Sequence, residues 1–338
     1  MSEAGGDYPH PGWINVFIRL MKLRVIILLQ ITAICAILVH DMLARHGLID
    51  VVRTWQDTFY ASIITIIGGT LSAGGSNSIN MWFDADIDKD MRRTENRPIP
   101  VGHISPTGAL VFGIIIALLG CSIFLLVSLK AAFWSLFSVL FYVLIYTIWL
   151  KRRTPQNIVI GGIAGSTPPL IGWAVAAAEY TNNTNPLDLG SAIPWMLFAL
   201  IFLWTPPHFW ALALYRSGEY AKASVPMMNE VKGAEHTLYQ SKVYCVLLFM
   251  LGSVPCFWPE SGLPLLWAFI AGGLTLWYSA SVWSIDPEEP FDENGRMPKA
   301  AKSFFRSLYY LGLMFLLLVI VSMIPPESLG YFGPLSYD

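Results

Sequence analysis

"TFYASIITIIGGTLSAGGSNSINMWFDADIDKDMRRTENRP", residues 58–98, passes from an apolar run into a cluster of charge within a few positions. Residues 80–98 alone carry nine charged side chains in nineteen positions, in a chain that is 55% apolar and 13% charged. Soluble domains carry about 25% charged residues, so the apolar part decides the fold. An apolar run of about 18 or more residues spans a bilayer as a helix, because about 20 residues at ~1.5 Å rise cross a hydrocarbon core of ~30 Å. Nine such runs are present, at roughly 23–42, 58–82, 107–129, 132–150, 157–178, 193–214, 243–258, 263–284 and 304–324. The seventh is short and ends at Pro255 and Pro259.

The expected fold is therefore an all-α integral membrane protein, with about nine transmembrane helices in a bundle around a central cavity. The connections are too short for a separate soluble domain. Residues 1–338 read as one polytopic domain, with a short N-terminal segment (1–20), a membrane bundle (21–325) and a short tail (326–338). Membrane lipid is the expected surrounding partner. A net charge of −2 gives no reason to expect nucleic acid. Cys35, Cys121, Cys245 and Cys256 fall in or beside apolar runs without paired spacing, so they read as small packing residues.

Loops rich in Lys and Arg stay in the cytoplasm. Scored in alternation, one set of loops holds 18 of the 21 basic residues and the other holds Arg45, Arg53 and Lys130. This predicts a cytoplasmic N-terminus, an external C-terminus, and charged clusters 80–98 and 202–228 on the cytoplasmic side. No cleavable signal or Arg/Ser-rich transit segment precedes the first span, which favours a bacterial cytoplasmic (inner) membrane.

Asn80, Asp84 and Asp88 are spaced i, i+4, i+8, so a continuing helix would place them in one stripe. Two carboxylates and an amide offer hard oxygen ligands, which suit Mg²⁺ sharing its shell with phosphate. Asp86 and Asp90 fall on another face. Arg92, Arg93 and Arg97 follow, and guanidiniums match phosphate oxygens. Asn77 lies one turn before Asn80, within the apolar run, where polar groups face cavities. In the second cluster, Tyr215 and Glu219 are again i, i+4, with Arg216 and Lys222 beside them. Two such clusters facing each other would hold an ion on either side of a diphosphate. His208 and Trp210 sit next to Pro206 and Pro207 inside an apolar span, where freed backbone groups need a cavity or neighbours.

These residues carry a resemblance. "NMWFDADIDKDMRRTENRPIP" (80–100), "RRTPQNIVIGGIAGSTPPLIGWA" (152–174) and "FLWTPPHFWALALYRSGEY" (202–220) resemble the signatures of the protohaem IX farnesyltransferases, or haem O synthases. That family falls within the UbiA-type intramembrane prenyltransferase superfamily. "KLRVIILLQIT" (22–32) and "VPMMNEVKGAEHT" (225–237) extend the match, with Leu23 inside a usual Lys-Pro-Arg pattern and Glu219 in place of a usual Asp.

The resemblance implies farnesyl diphosphate as donor, haem B as acceptor, one or two Mg²⁺ ions, and haem O as product for terminal oxidases. Asn80, Asp84, Asp88 and Glu219 would be the metal ligands, with Arg93, Arg97 and Tyr215 also catalytic. Asn77, Lys22, Arg24, Lys151, Arg152, His208, Trp210, Arg216 and Lys222 would bind substrate. A haem A synthase or oxidase assembly proteins would be partners. A quinone- or chlorophyll-type prenyltransferase, a cation transporter and a non-catalytic oxidase assembly factor are the alternatives at this point. The transporter would need acidic residues near the midplanes of several spans, which are almost free of them.

Overall fold

The computed structural model describes residues 10–91, 94–178, 184–216, 225–253, 264–293 and 296–325. Among these residues the chain is helical, with no strand. The order is α1 (Trp13–Met21), α2 (Leu23–Arg45), α3 (Trp55–Phe83), α4 (Pro106–Leu125) and α5 (Leu129–Leu140), the last continuing as a π-helical stretch (Phe141–Leu150). Then come α6 (Asn157–Ser166), α7 (Pro168–Ala176), α8 (Ile193–Tyr215), α9 (Met228–Ser253), α10 (Leu265–Trp283) and α11 (Pro298–Ser322).

Local chemistry sets several of these ends. Thr54 and Asp57 form a reciprocal capping box at the start of α3. Ser105 caps α4 ahead of Pro106, and Ser128 caps α5. Each hydroxyl satisfies an N–H that the first helical turn leaves without a partner. Pro168 has no N–H to continue a ladder, and α6 and α7 meet there at Thr167.

Eight segments among the described residues are long and apolar enough to cross a membrane, α6 and α7 counting as one. The seventh run expected from the sequence falls in α9. Glu230, Lys232 and Glu235 occupy the first half of that helix and Lys242 begins its second half, so its apolar part is short. The end of the run lies outside the described residues.

Helices in lipid gain little from burying apolar surface against one another, so close packing has to hold them. The contact between α3 and α4 shows how. Gly68, Ser72, Gly75 and Ile79 repeat at steps of four and three, and so do Gly113, Ala117, Gly120 and Phe124, which face them in antiparallel order. A Cβ on Gly75 would lie 2.4 Å from the Gly113 carbonyl oxygen, and one on Gly120 only 2.3 Å from the Ser72 nitrogen. Ser78 Oγ adds a bond of 2.8 Å to the Ala109 carbonyl. Other large side chains of α4, among them Val111, Ile115, Leu118 and Leu119, are exposed. That inverted pattern is the one hydrocarbon solvent permits.

The largest core cluster joins α2, α5, α7, α8, α10 and α11 around Trp173, Trp204, Trp267, Tyr278 and Tyr310. Trp173 Nε1 donates to the Leu189 carbonyl and Trp204 Nε1 to that of Ser307. At the last turns of α2, Asp41 is fully buried and accepts from Arg53 and Thr58, with His40 Nδ1 2.9 Å away.

Gly75→Leu or Gly120→Leu should destabilise the bundle by at least about 2–3 kcal/mol through overpacking against backbone. Gly312→Ala, where a Cβ meets nothing within 4 Å, should not. Thermal unfolding of the purified variants in one detergent checks the contrast.

Candidate active site

The last turns of α3 bring three polar side chains to one end of the bundle. Asn77 Nδ2 donates to the Met21 carbonyl at the end of α1 (2.9 Å). Asn80 is nearly fully buried. Its Oδ1 accepts from Lys22 Nζ (2.9 Å), while its Nδ2 donates to Asp84 Oδ2 (2.9 Å) and Thr147 Oγ1 (3.2 Å). Lys22, between α1 and α2, has φ +55°. A non-glycine residue in that region is uncommon and tends to mark function. Here it carries the ammonium group to Asn80.

The stripe expected along a continuing helix takes another form. Helix α3 stops at Phe83, and the chain passes through turns into a short 3₁₀ segment, Asp88–Asp90. Asp84 N still bonds the Asn80 carbonyl (3.0 Å), and Asp88 N bonds the Asp84 carbonyl (2.9 Å). The four-residue spacing thus survives the helix end, and both carboxylates stay close to Lys22.

Asp84 is 0% exposed. Its Oδ2 accepts from Lys151 Nζ (2.5 Å). Its Oδ1 has no hydrogen bond among the described residues, and Arg152 Nη2 is 3.8 Å away. Asp88, 2% exposed, takes Arg97 Nη1 on both oxygens (2.8 and 2.7 Å). Burial pushes the Asp88 carboxyl above the ordinary carboxylate range, and the Arg97 guanidinium pulls it partway back. Burial also lowers the Lys22 ammonium well below its ordinary value, assisted by the positive charges of Arg97 and Lys151. Asp86 instead faces Arg152, which grips both of its oxygens at 2.7 Å and holds its pKa down.

This arrangement suits a phosphorylated ligand. Lys22, Arg97, Lys151 and Arg152 surround two buried carboxylates and an amide oxygen. Asp84 Oδ1, without a hydrogen bond among the described residues and with the Arg152 guanidinium near, lies buried in that hard-oxygen set, as a divalent cation of the Mg²⁺ type requires. Among the described residues no three His, Cys, Asp or Glu side chains converge, so phosphate oxygens would have to complete such an ion's shell.

Of the second expected cluster, Tyr215 and Arg216 are described, at the end of α8, a helix that meets the acidic loop in a small apolar contact. Ile87 and Met91 of the acidic loop pack with Ile158, Phe209, Ala213, Val225 and Met227. The Tyr215 ring lies near Phe304 and under the Arg216 and Arg296 guanidiniums. His208 stacks between Trp204 (4.2 Å) and Phe304 (4.8 Å), and its Nδ1 lies 2.6 Å from Ser307 Oγ. Trp210 is buried edge-on against Tyr244. His208 and Trp204 thus tie α8 to α11 at Ser307. Arg24 is exposed, away from the carboxylates' hydrogen-bond partners. Arg93, Glu219 and Lys222 lie outside the described residues.

Four participants escape a sequence reading. Thr147, Phe304 and Ser307 belong to neither quoted cluster, and Thr94, which donates to the Asp88 carbonyl, is a neutral residue hidden among the charges of the first. The only trace of Thr147 and Ser307 is a lone hydroxyl in an apolar span.

Fold and site together define an intramembrane helical protein with an oxygen-ligand pocket, ringed by cations, at the mouth of its bundle. The chain belongs to the UbiA prenyltransferase family, whose model matches residues 33–309. It is 40% identical to the protoheme IX farnesyltransferase of Bartonella tribocorum, over 96% of both chains. With the enzyme of that name from Parvibaculum lavamentivorans it shares 41% identity, over 91% of this chain and 89% of the other. Among solved structures, the fold resembles digeranylgeranylglyceryl phosphate synthase, with a TM-score of 0.69 and 17% identity over 92% of this chain and 98% of that one. A UbiA homolog from Archaeoglobus fulgidus bound to GPP and Mg²⁺ gives 0.58 and 13%, over 90% and 100%.

Arg97→Gln should weaken Mg²⁺-pyrophosphate binding by roughly ten-fold, the loss expected for a charged hydrogen bond. Without Arg97 the Asp88 carboxyl rises further, and the Lys22 ammonium rises as well. Both limbs of the affinity–pH profile should therefore move to higher pH, as calorimetric titration across pH would show.

Proposed function

We propose that this chain transfers the farnesyl group of farnesyl diphosphate to a vinyl side chain of haem B (protohaem IX), giving haem O. The observation that carries the reading is the buried Asn80–Asp84–Asp88 set inside a ring of cations. The named relatives at about 40% identity over nearly the whole chain support the acceptor.

In this reading Asn80, Asp84, Asp88 and Glu219 would hold one or two Mg²⁺ ions, which supply charge neutralisation for the diphosphate. Lys22, Arg93, Arg97, Lys151 and Arg152 bind its oxygens. The bond between farnesyl C1 and the diphosphate oxygen breaks, and its electron pair leaves with pyrophosphate. The same side chains stabilise the charge that develops there. An anion arriving beside Lys22 favours its charged form, against the burial and the repulsion from Arg97 and Lys151 that disfavour it. The apolar helices keep water from the allylic cation until the haem vinyl carbon attacks it. Water then adds to the haem-stabilised cation and loses a proton, leaving a hydroxyethylfarnesyl group.

Tyr215 contributes its ring beside the cation, and Asn77 fixes the entrance through the Met21 carbonyl. Arg24 and Arg216 supply positive charge outside the buried set, and Lys222 would add a further cation for substrate. His208 and Trp210 shape the haem side of the cavity from within the wall. The membrane is a bacterial inner membrane in this reading, the basic-loop asymmetry supports a site facing the cytoplasm, and residues 1–338 act as a single polytopic domain. A haem A synthase or oxidase assembly proteins would consume the product.

The test is mass spectrometry of haems extracted from a host that lacks haem O. Expression of the chain should yield haem O, and Asp84→Ala should reduce it to a trace. Haem O at the wild-type level with Asp84→Ala would end the proposal.

A further inference from the structure

Asn80 offers its ligand oxygen only while its amide stays the right way round. The two ends of an amide are nearly the same shape, so hydrogen-bond partners alone decide which faces the site. The structure supplies three partners. Lys22 donates to Oδ1, while Asp84 Oδ2 and Thr147 Oγ1 accept from Nδ2. Two of these are charged groups with a second duty. In the function proposed above, Asp84 serves the metal and Lys22 the diphosphate, so ligand binding makes competing demands on both. Thr147 is neutral, 0% exposed and without any other role in the site.

The backbone around Thr147 is also matched to α3. The stretch Phe141–Leu150 is π-helical, and Lys151 N bonds the Tyr146 carbonyl five residues back. Such wide turns are rare and recur at functional sites. Along and just after this stretch two rungs form, Thr147 against Asn80 and Lys151 against Asp84, the second four residues further along both segments.

We propose that Thr147 is a positioning residue, which keeps the Asn80 oxygen turned toward the metal and diphosphate when Asp84 and Lys22 are engaged by ligand. This rests on the metal-dependent reading above.

The experiment is Mn²⁺ binding by the purified full-length protein, followed by electron paramagnetic resonance with farnesyl S-thiolodiphosphate present. Thr147→Val should weaken Mn²⁺ roughly five- to ten-fold, the loss expected for one hydrogen bond in a ligand's support. Thr147→Ser, which keeps the acceptor, should bind as wild type does. Thr147→Cys is close to Ser in size but a weak acceptor, and should fall with Val. Unchanged Mn²⁺ affinity in Thr147→Val overturns the proposal. If that variant fails to accumulate, equal affinities of the Ser and Cys variants overturn it instead. A merely structural Thr147 would lower the thermal midpoint of the Val and Cys variants and leave Mn²⁺ affinity where it was. Asp84→Asn separates the two claims. Wild-type Mn²⁺ binding by that variant would remove the metal reading itself, whereas a flat Thr147 series alone removes only the positioning role.

Discussion

The pairing of Asp84 with Lys151 is the interaction on which the site depends. A carboxylate taken fully out of water costs several kcal/mol unless a counter-charge and hydrogen bonds meet it. Asp84 has both, from Lys151 Nζ and Asn80 Nδ2, and keeps one oxygen without a hydrogen bond. That oxygen can stay buried only because the opposite charge is close. Lys151 in turn follows the π-helical stretch at the end of α5, so the backbone there determines whether Asp84 is tolerable at all. Arg152 joins the same group by bridging to Asp86 and to the Phe83 carbonyl. Two consecutive basic residues after α5 thus hold the whole C-terminal end of α3.

The close approach of α3 and α4 serves the same end. Glycines along α3 let a neighbouring backbone support it without bulky side chains, and its last two turns are left to Asn77, Asn80 and Asp84. A helix with Leu at those positions would be pushed away from α4, and its polar end would lose its alignment with Lys22 and Thr147. The packing of small residues and the chemistry of polar ones are therefore successive segments of one helix.

Much of this was legible in the sequence, because its signals are strong ones. Long charge-poor runs are read directly as spans, and Asn80, Asp84 and Asp88 repeat at a helical interval. The expectation of a continuing helix failed at Phe83, yet the cluster survived, since the turn after α3 keeps two hydrogen bonds of four-residue spacing. What the sequence concealed is what depends on neighbours. Nothing in "FYVLIYTIWL" (141–150) announces a π-helical register, because its side chains are as apolar as those of an ordinary span. His208 drew attention as an isolated polar residue, but its environment is set by Phe304 and Ser307, about a hundred positions away. α9 reads poorly as a span because charge occupies its first half while its second half packs as the other helices do.

The junction of α1 and α2 has a mechanical consequence. Trp13, Ile14 and Ile18 of α1 are exposed, as side chains of a helix lying along a lipid interface would be. The next residues are fastened to α3 twice, one turn apart, through the Met21 carbonyl on Asn77 and Lys22 Nζ on Asn80. With two attachments, α1 cannot rotate or slide over the bilayer surface without turning the Asn80 amide with it. Any displacement of that short helix is thus passed directly to the oxygen-rich end of α3, through two bonds that leave no slack between them.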